Sequence, residues 1–297
     1  MCRPRVGTAF VNTCWNAIFE GMKRLTLVLS AALIVTLASG FAAMRQSTVP
    51  YMVERPTSFG KGEELEYKVN FGFLHVGKAI TRIDKRVHII NSRPCYKIDA
   101  FGETSDWMSW VADVEDNWGA YIDTTTMSTQ VSYRKIKENS YRLEELSNFD
   151  HDTHKVTVKV KNKETGVYEE KNSYDIPKNA KDLVGGFMLL RQIDFAKLHK
   201  GDTVTISGFF EDTSYYLKVM YLGKETIKTS VGKIPCNIMK PIMPDNKLFD
   251  GENSITCWIS DDGNKIPVKI QAKMFIGHTG LELVSFRGLR NQIKIVP

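Results

Sequence analysis

The chain has 297 residues, 40 Lys and Arg against 34 Asp and Glu for a net charge of +6, and 42% hydrophobic residues. That hydrophobic content is ordinary for a globular protein, and the length suffices for one large or two small domains with a real core. Residues 1–43 carry four basic residues and one acidic residue; without them the balance falls from +6 to +3. A chain so near neutrality lacks the electrostatic footprint of a nucleic-acid binder.

Met22-Lys23-Arg24 leads directly into the apolar run Leu25 to Ala38, and small residues follow at Ser39, Gly40, Ala42 and Ala43. This is the tripartite pattern of a secretory signal, with cleavage expected after Gly40 or Ala42. The apolar run is shorter than the roughly 20 residues of a spanning helix, and Phe41 stands where a lipoprotein would need cysteine. Residues 1–21 precede a normal signal start at Met22 and read as a misassigned extension. The expected organisation is therefore a signal over 22–43, a lead-in over 44–58 and a single β-rich domain over 59–297. The expected address is the periplasm, or the periplasmic face of the envelope, of a Gram-negative bacterium. No later segment is apolar and long enough to span a bilayer as a helix, so no membrane span is expected in the mature chain.

From residue 59 onward, polarity alternates with a period of two. In Leu65-Glu66-Tyr67-Lys68-Val69-Asn70-Phe71 the odd positions are apolar and the even ones polar, and the same holds for Val156 to Val160 and Val268 to Ile276. Weaker copies occupy Tyr96 to Ala100, Val204 to Phe210, Tyr215 to Leu222, Ile255 to Ile259 and Leu281 to Phe286. Such alternation means one dry and one wet face, as in antiparallel sheet. Turn signals at Asn162 to Gly166, Leu222-Gly223, Asp262-Gly263 and Gly277 to Gly280 punctuate the strands. The pattern predicts an all-β fold, a large curved antiparallel sheet or an open or closed β-barrel.

Several segments carry residues with chemical potential. Between Asp106 and Trp118 lie three tryptophans and four acids, a composition suited to sugar stacking and acid–base work on glycosidic bonds. At strand spacing, however, Trp107, Asp113 and Glu115 share one face and Trp110, Asp116 and Trp118 the other, which favours packing. His151-Asp152-Thr153-His154 lacks a third ligand at any metal-motif spacing and reads as a hairpin tip. Apolar residues at Leu183, Phe187, Leu190, Ile193 and Leu198 predict one central helix over about 182–199, with Asp182 as N-cap, packed against the sheet.

Three cysteines follow the signal. Cys236 and Cys257 each sit at strand spacing among isoleucines. If their segments form a hairpin over the turn-rich 244–251 stretch, both point to one apolar face and could bridge in an oxidising compartment. The other reading is two buried thiols, the commoner state of buried cysteine. Asp261-Asp262-Gly263-Asn264 is explained by a tight turn, and it lacks the ligand spacing of a calcium loop. No serine sits in a G-x-S-x-G elbow and no phosphate-binding glycine loop occurs, so no catalytic residue, metal or cofactor is assigned.

Three blocks carry a family resemblance. Gly62 to Ala79 (GEELEYKVNFGFLHVGKA), the Leu189-Leu190-Arg191 segment with Lys200-Gly201-Asp202, and Trp258 to Ile270 (WISDDGNKIPVKI) resemble the bacterial exported proteins catalogued as domain of unknown function 3108. The resemblance covers roughly residues 59–288. It implies export and a β-rich fold, and it carries over no catalytic or binding residue.

Taken together, these readings lead to an expectation of a non-catalytic exported protein. A curved sheet with more apolar inner positions than it can fill becomes a cup. The expected ligand is a lipid or other apolar or amphiphilic envelope molecule, or an envelope protein partner. Phe71, Phe73, Trp107, Trp110, Phe187 and Tyr215 are the residues expected to line the cup. The rivals are an envelope glycan hydrolase using the acids near Trp107 to Trp118, and a structural subunit that docks by a sheet edge.

Overall fold

The computed structural model describes residues 57–242, 254–273 and 277–297. The expected signal over 22–43, most of the expected lead-in and the 244–251 stretch lie outside the described residues. Within them, the first meander comprises β1 Glu64–Phe71, β2 Leu74–Ile90, β3 Arg93–Thr104, β4 Glu115–Asp123, β5 Thr129–Glu138, β6 Tyr141–Asp150, β7 Lys155–Lys161 and β8 Tyr168–Asp175. The second comprises β9 Thr203–Phe210, β10 Thr213–Thr229, β11 Gly232–Pro241, β12 Ile255–Ser260, β13 Pro267–Lys273 and β14 His278–Arg287. Pairing of β1 with β14 joins the two into one fourteen-stranded sheet of order β8-β7-β6-β5-β4-β3-β2-β1-β14-β13-β12-β11-β10-β9.

Period-two alternation sets the faces. In β1, Leu65, Tyr67 and Val69 are buried while the residues between them are only partly covered. The right-handed twist of successive strands bends so wide a sheet round on itself. Its two edges meet at a seam without a β8–β9 ladder. There the ring of Tyr174 on β8 lies 5.5 Å from that of Phe209 on β9, Lys171 pairs with Asp212, and Ser214 Oγ donates to the Asp175 carbonyl at 2.9 Å. Lys181, six residues beyond β8, adds a single parallel bridge to Gly208 of β9. Beneath the seam, Phe149, Val156, Val158, Ile176 and Ala180 pack with Phe209.

A one-turn helix, α1 Asp106–Ser109, interrupts the sheet between β3 and β4, and the main helix, α2 Leu183–Leu190, lies between β8 and β9. The helix thus spans eight residues and not the eighteen of the apolar periodicity. Its start is as expected: the Asp182 carboxylate accepts from the Val184 and Gly185 amides at 3.0 Å each. It stops at Arg191, where the ladder tightens to bonds from the Gln192 and Ile193 amides to the Leu189 and Leu190 carbonyls, and Asp194 then caps a separate 3-10 turn, Phe195–Lys197.

Anchors at both ends place α2 across one end of the curled sheet. At the N-terminus, Thr129 Oγ1 donates to Asp182 at 2.7 Å and Lys181 Nζ to the Met127 carbonyl at 2.6 Å. At the C-terminus, Arg191 pairs with Glu63 through both oxygens and donates to the Ser58 and Asn264 carbonyls at 3.0 and 2.9 Å. These partners come from the β4–β5 turn, the segment before β1 and the β12–β13 turn, all at the same end. The opposite end carries the β1–β2, β3–β4, β5–β6 and β7–β8 turns. The buried side chains of α2 divide among three apolar clusters, with Leu189 and Leu190 toward β9 to β12, Val184 and Met188 toward β2 to β4, and Leu183 toward Phe210 and Tyr215.

Candidate functional site

Between α2 and the inner face of β1–β4, β13 and β14 lies a cavity of about 190 Å³. Cross-strand register explains it. Tyr67 pairs with Ala79, Ala79 with Gly102, and Gly102 with Asp116, so the row across β1–β4 carries two small residues, Ala79 and Gly102, at its middle. The next row runs Leu65, Thr81, Ala100, Trp118. A Cβ placed on Gly102 meets no atom within 4 Å, which marks the open space directly. Phe187 and Met188 of α2 face these rows, and Val69, Val114 and Leu281 border the cavity toward the turn-bearing end.

Ionisable side chains at this cavity are few. Lys78 and Glu103 contribute to its border, but alternation turns their side chains to the outer face, where they pair at 2.7 Å. Arg191 is held by Glu63. Tyr67 is fully buried, and burial pushes its phenol well above the usual range. Asp116 is 6% exposed, and among the described residues its one hydrogen bond is Oδ1 accepting from the Lys137 amide at 3.1 Å. Burial lifts its carboxyl to about 6, against the downward pull of that amide.

Of the six expected lining residues, Phe187 borders the cavity. Phe71 is partly buried against Val69, Val76, Met108 and Val111. Tyr215 is core: its ring lies over Gly208, where a Cβ would come within 2.4 Å of it, and it packs with Leu183 and Phe210. Phe73 is 94%, Trp107 51% and Trp110 69% exposed on the β1–β2 turn and α1. Trp107 Nε1 donates to the His75 carbonyl at 3.2 Å. The expected strand-like division of residues 107–118 fails because α1 breaks the alternation, and the period of two resumes only in β4, where Asp116 and Trp118 do share the inner face. Ala79, Ala100 and Gly102 escaped the sequence reading, and Asp116 entered it only as one of the acids of the tryptophan-rich segment. Their signal was small or acidic residues at inward positions of otherwise apolar alternation.

The remaining candidates occupy ordinary structural places. Glu115 pairs with Lys137 at 2.6 Å on the outer face. Asp262 Oδ1 accepts from the Asn264 amide at 2.8 Å and from Ser260 Oγ at 3.0 Å, closing the β12–β13 turn. His151 Nε2 lies 2.7 Å from the Thr129 carbonyl. Among the described residues, no group of three or more His, Cys, Asp or Glu could hold a metal ion. Cys236 lies opposite Ser260 and Cys257 opposite Met239, an offset of three residues that puts the two cysteines on opposite faces. Both are buried free thiols, as is Cys95.

Comparison with curated proteins gives no match. Among solved structures, the chain is similar to a beta-barrel-like protein of domain of unknown function DUF1849 from Brucella abortus, with a TM-score of 0.49 and 11% identity over 76% of this chain and 97% of that one. A family model described as "Protein of unknown function (DUF3108)" matches residues 66–284, a span that runs from β1 into β14 and takes in the cavity walls and α2, and the chain belongs to this family.

Proposed function

We propose that this is an exported binding protein that holds the apolar part of an envelope molecule in the cavity between α2 and the sheet. The observation that carries the reading is the 190 Å³ space left by Ala79, Ala100 and Gly102 beneath Phe187. A cavity of about 150 Å³ lined by apolar side chains accepts benzene, so this one suits a ring or a chain of about eight carbons. Apolar surfaces separated by such a gap forfeit their mutual dispersion contacts, a cost that a bound chain offsets. The export signal over 22–43 supports an envelope address. A glycosidase would need two carboxylates converging on its substrate. Here the acids of the tryptophan-rich segment diverge, with Glu115 outside and Asp116 inside.

The test uses Gly102→Leu, which places four carbons into the open space. Wild type is expected to enhance the fluorescence of the apolar probe N-phenyl-1-naphthylamine. The variant should bind it at least about tenfold more weakly, about 1.4 kcal/mol, while melting at the same or a higher temperature. Equal probe binding by the two proteins refutes the cavity as the binding site.

A further inference from the structure

We propose that Asp116 anchors the amine head of an amphiphile whose chain fills the cavity. The proposal rests on the binding reading above and adds the ligand's chemical class to it. It starts from a charge inventory. Arg191, at the C-terminal cap of α2, is neutralised by Glu63. Lys78 of β2 and Glu103 of β3 neutralise one another on the outer face. Arg134 of β5, stacked 5.5 Å from the Trp118 ring centroid, is paired with Glu145 and Glu211 at 2.9 and 3.2 Å. Lys137 sends its ammonium outward to Glu115. β1 contributes only the neutral phenol of Tyr67. Glu138 follows two residues after Ile136 on the same face of β5 and adds a further acid toward the turn-bearing end.

When ionised, Asp116 therefore gives the cavity wall a charge that no lining cation matches. Oδ1 accepts the Lys137 amide, and the other oxygen is left for a donor arriving from the cavity. A buried carboxylate with one backbone hydrogen bond is costly, and an approaching ammonium supplies both the counter-charge and the second hydrogen bond. A carboxylate or phosphate head at the same place would meet like charge. Gly102, directly opposite Asp116 in register, and Ala79 beyond it provide the room for the adjoining methylenes.

The experiment displaces N-phenyl-1-naphthylamine with n-octylamine, n-octanol and octanoate, which share a chain of the length the cavity suits. At pH 8, wild type should prefer octylamine over octanoate by about tenfold or more, the low end of measured couplings between close charge pairs. That preference should shrink as pH falls below about 6, where burial favours the protonated carboxyl. Asp116→Asn should bind octylamine and octanoate within about threefold of one another, with n-octanol little changed as the control for an intact cavity. Equal affinities for octylamine and octanoate in wild type, or an amine preference that survives in Asp116→Asn, overturns the anchor. Where the probe binds wild type and Gly102→Leu abolishes that binding, either of these two outcomes removes the anchor alone and leaves the cavity as the binding site. If the probe does not bind at all, the binding reading itself falls.

Discussion

Arg191 is the residue on which the plugged end of the molecule turns. Its guanidinium meets Glu63 and two backbone carbonyls and lies 5.2 Å from the Phe59 ring centroid, so helix, β1 lead and β12–β13 turn share one side chain. Desolvating two charges costs nearly what their attraction returns, so the pair specifies where α2 stops more than it adds stability. Removing one member is another matter. Arg191→Met strands Glu63 and is expected to lower the unfolding free energy by about 3–5 kcal/mol in urea titrations, and Arg191→Met with Glu63→Leu should recover most of it. A single variant as stable as wild type would contradict this. Asp116 gives a pH signature. Its folded carboxyl titrates near 6 and an unfolded one near about 3.9. The native state therefore binds the extra proton, and this contribution to stability is full below about 4 and lost as pH rises through 6. The melting-temperature difference between Asp116→Asn and wild type should therefore grow in the variant's favour from pH 4 to 7. A difference independent of pH would exclude a raised carboxyl.

At the scale of elements, the strands were legible, as were the presence and start of α2, while its end and the short α1 were not. Alternation in β1, β7 and β13 is strict because each has one face in the core, and a period of two leaves little ambiguity. The helix was overextended because Ile193 and Leu198 keep helical spacing beyond Arg191, yet they reach the core through a 3-10 turn. Periodicity reports which residues are buried, and not the hydrogen-bond ladder that carries them there. The cavity was not legible as a place. It depends on Ala79, Gly102 and Asp116 coming into register across three strands, a pairing set by turns and bulges that no single segment encodes. The edge strand β8 yields its own expectation. Seven of its eight residues are exposed and its charged residues blunt the free edge, which is how edge strands avoid pairing with other chains. Its outward amides should exchange with deuterium within the dead time of a native-state experiment, while those of β3, laddered on both sides, stay protected. Comparable protection of the two strands would mean that the seam is a hydrogen-bonded ladder after all.

For the molecule as a whole, composition and alternation sufficed to fix the class, one broad antiparallel sheet with a helix against it, and the family follows from blocks along its length. The inner surface is less uniform than alternation suggests, since α2 divides it into separate apolar clusters and leaves a roomy gap beside them. The polarity of the curled sheet is fixed as well. Asn291 Nδ2 donates to the Thr57 carbonyl at 2.9 Å, and Lys233 Nζ to that of Pro297 at 2.8 Å, so the chain both enters and leaves the fold at the plugged pole. An affinity tag or sensor-chip linker joined to Pro297 leaves the fold at that pole, where the chain also enters it at Thr57. Phe73, Trp107 and Trp110 then stand exposed at the far pole, turned away from whatever is attached at the plugged one.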